Sequence, residues 1–180
     1  MNKAVFLDRD GTIIKDKKYS FDPHSIEFLE GVIPSLRKLQ NEGYLLIIIT
    51  NQSGIARGLF SEAELHVFND TLINLLKENG IVITATYYCP HHPQGIIPQY
   101  TVKCSCRKPG LKMFWDAVSE YNIDLAQSYA IGDNERDCVI CFHSDCIGCL
   151  INKHKISSNS VLKSFNTFKQ CVDYIIGDVK

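Results

Sequence analysis

A chain of 180 residues, 45% of them hydrophobic, is long enough to bury one core and too short to require a second, so a single domain over residues 1–180 is expected. Nineteen basic and twenty acidic residues leave a formal charge of -1, which excludes the broad positive field of a nucleic-acid or anionic-membrane binder; any anionic ligand has to be held locally. A run of only four apolar residues, Ala4 to Leu7, precedes the carboxylate of Asp8, and the longest apolar run is 44–49, too little for a signal peptide or a bilayer span; a cytosolic protein is expected, and a monomer.

In chain order, an apolar strand at 3–7 is followed by a helix at 33–41 that Gly43 ends, and then by a strand at 44–49. The strongest helical pattern runs over 61–79: Ser61 and Glu64 have capping-box spacing, Leu65, Phe68, Leu72, Leu75 and Leu76 form one stripe, and Gly80 stops it. A strand at 81–88, a helix at 111–121 after Pro109-Gly110, a strand at 128–131, a helix at 134–142 and a strand at 146–151 continue the alternation. A helix at 167–176 closes it, with Phe168, Cys171, Val172 and Ile175 inward. Short apolar strands alternating with helices predict an α/β protein whose parallel sheet is covered on both faces.

Three strands end in polar clusters: Asp8-Arg9-Asp10-Gly11-Thr12, Thr50-Asn51-Gln52-Ser53 and Gly132-Asp133-Asn134-Glu135-Arg136-Asp137. Parallel strands deliver all three to one edge, where open α/β sheets bind ligands. Asp8 and Asp10 would stand alternately along the chain with Arg9 between them, and Asp133 would add a further carboxylate. So much negative charge in one crevice requires a cation, and an all-oxygen ligand set suits magnesium. An Asp-Gly pair alone is a common turn; acidic residues at more than one strand end favour the metal site.

Eight cysteines in a chain without an export signal are expected to be reduced. Cys89, His91, Cys104 and Cys106 have the spacing Cys-x-His-x12-Cys-x-Cys, with His92 as an alternative ligand. Pro93, Gly95 and Pro98 oppose regular structure between them, so a tetrahedral zinc ion is the natural way to order the loop 89–106. Its last ligand directly precedes Arg107 and Lys108, which the zinc would position. Cys138, Cys141, Cys146 and Cys149, with His143 among them, mimic a second metal motif. Their place on a helix and a core strand predicts buried thiols instead, as does the stripe position of Cys171.

The motifs together resemble those of haloacid-dehalogenase-type phosphatases: Asp8-Arg9-Asp10-Gly11-Thr12 the first, Thr50-Asn51 the second, Lys108 the third, and Gly132-Asp133 with Asp137 the fourth. Residues 50–58, Thr-Asn-Gln-Ser-Gly-Ile-Ala-Arg-Gly, with the stretches 89–93 and 104–109, are similar to those of D-glycero-D-manno-heptose 1,7-bisphosphate 7-phosphatases. Histidinol-phosphatases are the nearest alternative, with a shorter zinc insertion and a different stretch after Thr-Asn-Gln. The resemblance implies a Rossmann-like fold without a large cap domain, Asp8 as nucleophile and Asp10 as general acid and base. It implies magnesium on Asp8, the Asp10 carbonyl and Asp133, with Asp137 as a supporting partner, and it selects His91 over His92 for zinc. Thr50, Asn51, Gln52, Ser53, Lys108 and Arg107 would hold the substrate, as would Asp16, Lys17, Lys18 and Tyr19. Asn134 stands where the family is expected to carry a substrate-contacting lysine, a departure that bears on substrate or anomer choice.

The expected reaction is removal of the 7-phosphate from a sugar bisphosphate on the way to nucleotide-activated heptose. With no large cap, the segments 12–28 and 89–106 are expected to supply most of the recognition. A zinc-stabilised nucleic-acid module, suggested by Lys103, Arg107 and Lys108, is disfavoured by the near-neutral charge and the lack of a basic stripe.

Overall fold

A computed structural model of the chain describes residues 1–19, 21–151 and 161–177; Ser20, within the expected recognition segment, lies outside them. Six strands, β1 (Ala4–Leu7), β2 (Leu45–Asn51), β3 (Ala85–Cys89), β4 (Tyr129–Gly132), β5 (Ile147–Ile151) and β6 (Leu162–Phe165), form one parallel sheet in the order β3-β2-β1-β4-β5-β6. The chain builds outward from β1 to β3, then returns to the other side of β1 with β4. The crevice beyond the carboxyl ends of β1 and β4 is therefore the topological switch point of the sheet.

The period-two alternation of the strands sorts the core into two layers. Val5, Leu7, Leu46 and Ile48 face α1 (Val32–Asn41), α2 (Glu62–Glu78) and, further along the sheet, α4 (Phe168–Ile175). Ala4, Phe6, Ile47 and Ile49 face α3 (Lys112–Tyr121) and the turn-rich segment Glu135–Phe142. Ser61 caps α2 as its spacing predicts: its hydroxyl accepts from the Glu64 amide while the Glu64 carboxylate accepts from the Ser61 amide. Among the described residues no helix is long and apolar enough to cross a membrane.

The structure differs from expectation in four elements. β3 begins at Ala85 rather than at 81, because Gly80 adopts a left-handed φ of 75° and the following Ile81 folds back, its amide donating to the Leu76 carbonyl over 3.0 Å. Ile81 is thus the apolar plug of a helix cap and not the start of a strand. On α2, Leu75 is only partly buried, whereas Asn69 takes a buried place in the stripe. Residues Glu135–Phe142 form 3₁₀ turns broken at Cys138 instead of an α-helix. β6, an edge strand with two apolar residues in four, carries too little alternation to be read from sequence.

Candidate active site

Asp8 continues the line of β1, its amide donating to the Ile131 carbonyl of β4 over 2.9 Å, so its side chain stands at the switch point. Lys108 reaches the same place from the segment before α3. Its ammonium lies 2.8 Å from Asp8 Oδ1, 2.7 Å from Asp137 Oδ1 and 2.6 Å from the Ile49 carbonyl, with only 1% of its side chain exposed. Burial pushes the Asp8 carboxyl up to about 7; Lys108 opposes the rise, and the neighbouring Asp137 and Asp10 add to it. Burial equally opposes the charge of Lys108, but Asp8 and Asp137 outweigh it and hold the ammonium above its ordinary range.

Asp133, just past the end of β4, completes the acidic group: oxygens of Asp8, Asp133 and Asp137 all lie within 4.8 Å of one another. Gly11 makes this approach possible. It sits at φ +82°, and a Cβ there would come to 2.6 Å from Asp133 Oδ2. Three carboxylates against one ammonium leave an excess of negative charge, and their all-oxygen donor set fits a magnesium ion. Because Lys108 is buried between two carboxylates, Lys108→Met is expected to destabilise the metal-free protein by about 3–5 kcal/mol. Urea unfolding checks this, and a midpoint equal to that of the unmodified chain would show the pairing to be energetically idle.

Asp10 lies beside this group, held by Arg9 and by Gln52, whose Nε2 also donates to the Thr50 hydroxyl over 2.7 Å. Asn51 turns its side chain to the Lys108 backbone, accepting from its amide at 2.9 Å and donating to its carbonyl at 3.1 Å. That two-point clamp fixes the lysine rather than a ligand. Thr50, Gln52 and Ser53 are buried in the floor of a cavity of about 360 Å³ lined also by Asp8, Asp10, Asp133 and Lys108.

Asp16, Lys17, Lys18 and Tyr19 line the cavity rim, where Lys18 and Tyr19 hold positive φ values of 48° and 70°. Arg107 lines the opposite wall. Two expected recognition elements are not among the residues that line this cavity. No residue of the segment 89–106 lines the cavity, because the loop packs behind Arg107 and the stretch 54–58 and does not reach forward. Asn134 lines an adjoining depression that shares Lys15, Asp16 and Asp133 with the cavity, its backbone amide donating to Asp137, while Arg136 lines the cavity itself. Arg9 and Arg57 also line the cavity, and sequence reasoning gave them no role. Arg57 belongs to the quoted stretch 50–58, which was the available signal. Its Nε is buried without a partner, the mark of a donor awaiting an acceptor.

Behind these residues, Cys89, His91, Cys104 and Cys106 converge. Sulfur pairs stand 3.2 to 3.5 Å apart, and His91 Nδ1 is 3.4 Å from Cys106 Sγ and 3.6 Å from Cys89 Sγ. Burial and the hydrogen bond with Cys106 push the Cys89 thiol up, so thiolates at this spacing require a cation. The donors and their spacing fit tetrahedral zinc. His92 faces away, toward Arg57 Nη2 at 3.1 Å. The second cysteine cluster is buried, and among the described residues none of its members joins a metal-holding group.

Comparisons agree with this geometry. Residues 3–144 match the sequence profile of the family described as polynucleotide kinase 3 phosphatase. The chain is 48% identical over 136 residues to the D-glycero-beta-D-manno-heptose-1,7-bisphosphate 7-phosphatase of Haemophilus ducreyi, covering 75% of this chain and 74% of that one. It is 42% identical over 134 residues to the protein of the same name from Escherichia coli K12, covering 74% and 70%. A crystal structure of D,D-heptose 1,7-bisphosphate phosphatase from B. bronchiseptica, complexed with magnesium and phosphate, superposes with a TM-score of 0.84 at 26% identity, covering 99% of this chain and all of that one. A HAD-like phosphatase from Mesorhizobium loti gives 0.88 at 27%, covering 98% and 87%. The chain belongs to the polynucleotide kinase 3 phosphatase family of haloacid-dehalogenase-type proteins, in the branch of the D-glycero-beta-D-manno-heptose-1,7-bisphosphate 7-phosphatases.

Proposed function

We propose that this single-domain protein hydrolyses the 7-phosphate of D-glycero-D-manno-heptose 1,7-bisphosphate in the cytosol, with magnesium at Asp8, Asp133 and the Asp10 carbonyl and a structural zinc at Cys89, His91, Cys104 and Cys106. The observation that carries the reading is the meeting of Asp8 and Asp133 at the ends of β1 and β4, with Lys108 paired to Asp8 and Asp10 at hand. Magnesium, when bound, neutralises charge on the transferring phosphoryl group.

Asp8 attacks the phosphorus as the bond to the sugar oxygen breaks, and Asp10 gives that oxygen a proton. Asp10, now a carboxylate, takes a proton from a water whose oxygen attacks the aspartyl phosphate. The bond to Asp8 breaks, and inorganic phosphate leaves. Lys108 keeps Asp8 aimed while balancing its charge, the Asn51 side chain keeps Lys108 in place, and the Thr50 hydroxyl and the backbone amide of Asn51 supply donors to phosphate oxygens. The distal phosphate faces a cationic rim, where Arg107, Arg136 and the unpartnered donor of Arg57 meet the cavity.

Assaying phosphate release with magnesium from both anomers of the bisphosphate and from histidinol phosphate tests the assignment. The bisphosphate is expected to win by about 100-fold or more in kcat/KM, since a substrate without the second phosphate leaves the guanidiniums of Arg57 and Arg107 with no anion to meet. Preference for histidinol phosphate would reassign the substrate.

A further inference from the structure

Arg9 stands between the two catalytic aspartates, and its side chain runs into the layer under α2 while its guanidinium turns back to the Asp10 carboxylate. There it is 1% exposed, with its guanidinium 4.7 Å from the ring centre of Phe68 and 6.0 Å from that of Phe21. A cation in an apolar layer is costly unless its donors are satisfied. Arg9 satisfies them in a specific pattern. Nε lies 3.2 Å from both oxygens of Asp10, Nη2 is 2.9 Å from Asp10 Oδ2, and Nη1 donates to Asn69 Oδ1 at 2.7 Å.

Asn69 is the buried polar residue that interrupts the apolar stripe of α2. It makes no contribution to the hydrophobic layer, and its carbonyl serves to anchor this guanidinium. On the other side, Gln52 Nε2 donates to the same Asp10 Oδ2 at 2.8 Å. Oδ2 therefore receives two short hydrogen bonds from groups that are themselves fixed, while Oδ1 keeps one long contact to Arg9 Nε.

We propose that Arg9, anchored by Asn69, is the positioning residue for Asp10. It pins Oδ2 together with Gln52, so that Oδ1 is the oxygen that delivers the proton to the departing sugar oxygen and takes one from the attacking water. The inference rests on the assignment of Asp10 as acid and base. Arg9 itself touches no reacting atom; it acts through the carboxylate it holds. A planar fork bound on three donors and backed by aromatic rings has little freedom, and it transmits the register of α2 to the catalytic carboxylate.

The test compares two leaving groups. A sugar alkoxide needs a proton as it departs, whereas the p-nitrophenolate of p-nitrophenyl phosphate does not. In the magnesium-loaded protein, Arg9→Met is expected to lower kcat/KM for the heptose bisphosphate by about 100-fold, the size of a general-acid contribution. For p-nitrophenyl phosphate kcat/KM should fall less than about threefold, and an early burst of p-nitrophenolate should show slowed breakdown of the phosphorylated enzyme.

Asn69→Ala, which removes only the anchor, should give the same selectivity at about a tenth of the effect, and provides the measurement if Arg9→Met does not fold. Arg9→Lys keeps the charge without the fork and should stay impaired. Equal losses on both substrates, no loss, or full restoration by lysine would each overturn the proposal. Asp10→Asn separates it from the assignment beneath it. If that variant shows leaving-group selectivity and the Arg9 and Asn69 variants do not, the positioning role alone fails; if Asp10→Asn shows none, the assignment of Asp10 fails with it.

Discussion

Asp8→Asn is expected to lower turnover of the sugar bisphosphate by about 10⁴-fold or more, the scale of losing a covalent nucleophile. The amide has the shape of the carboxylate and leaves Lys108 its second partner, Asp137, so the fold has no reason to fail. The variant's stability should lose a pH dependence that the unmodified chain has. The carboxyl of Asp8 titrates near 7 in the folded chain against an ordinary value of 3.8. A group whose folded pKa is raised contributes stability that is complete below the unfolded value and lost as pH rises through the folded one. In metal-free protein the unmodified chain should therefore lose stability between about pH 4 and pH 7 by a margin that Asp8→Asn abolishes. Urea unfolding at both ends of that window, paired with steady-state turnover, reads the two effects together. Retained turnover would refute the nucleophile; a variant equally pH-sensitive would place the titration elsewhere.

The floor of this site was legible in the sequence because it is built from strand ends. Asp8, Thr50, Asn51 and Asp133 directly follow or end apolar runs whose parallel pairing leaves only one edge on which they can meet. The convergence of Cys89, His91, Cys104 and Cys106 was legible because closely spaced Cys and His flanking a stretch of proline and glycine have few other uses. The walls were harder to read. Arg9 and Asn69 are separated by 60 positions, and nothing local says that an asparagine inside a helix stripe answers an arginine after a strand. Asn51 appears in a phosphate-binding motif, yet its side chain serves Lys108, a purpose that depends on a loop 57 residues away. Residues Glu135–Phe142 wind as broken 3₁₀ turns where the residue pattern suggests an α-helix, and Arg136 reaches the cavity from them. In each case the missing information is a long-range pairing or a local winding, neither of which a hydrophobic pattern encodes.

The loop 89–106 connects these walls, and removing the zinc proposed for it should have the second large effect. The Cys89 carbonyl accepts from the Gln52 amide at 2.8 Å, tying the first ligand to the cavity floor. The amides of Ile96 and Ile97 both donate to the Ala56 carbonyl, and His92 meets Arg57, so the loop braces the stretch that carries Arg57. Cys104 Sγ accepts from the Arg107 amide at 3.4 Å, immediately before Lys108. Without a cation these thiols have no reason to stay clustered, and a loop with so few apolar residues cannot hold itself in place. Cys106→Ser is expected to lower the melting temperature by about 10 °C, about 3–4 kcal/mol for a chain of this length, and to reduce kcat/KM at least about tenfold. Its zinc content should drop from one ion per chain, whereas Cys146→Ala, in the buried second cluster, should keep the ion. Because Lys108 and Arg57 both depend on the loop, the loss should appear in kcat as well as in KM. Elemental analysis finding no zinc in the unmodified protein, or a Cys106→Ser chain with unchanged melting and turnover, would mean that packing alone sets the position of these residues.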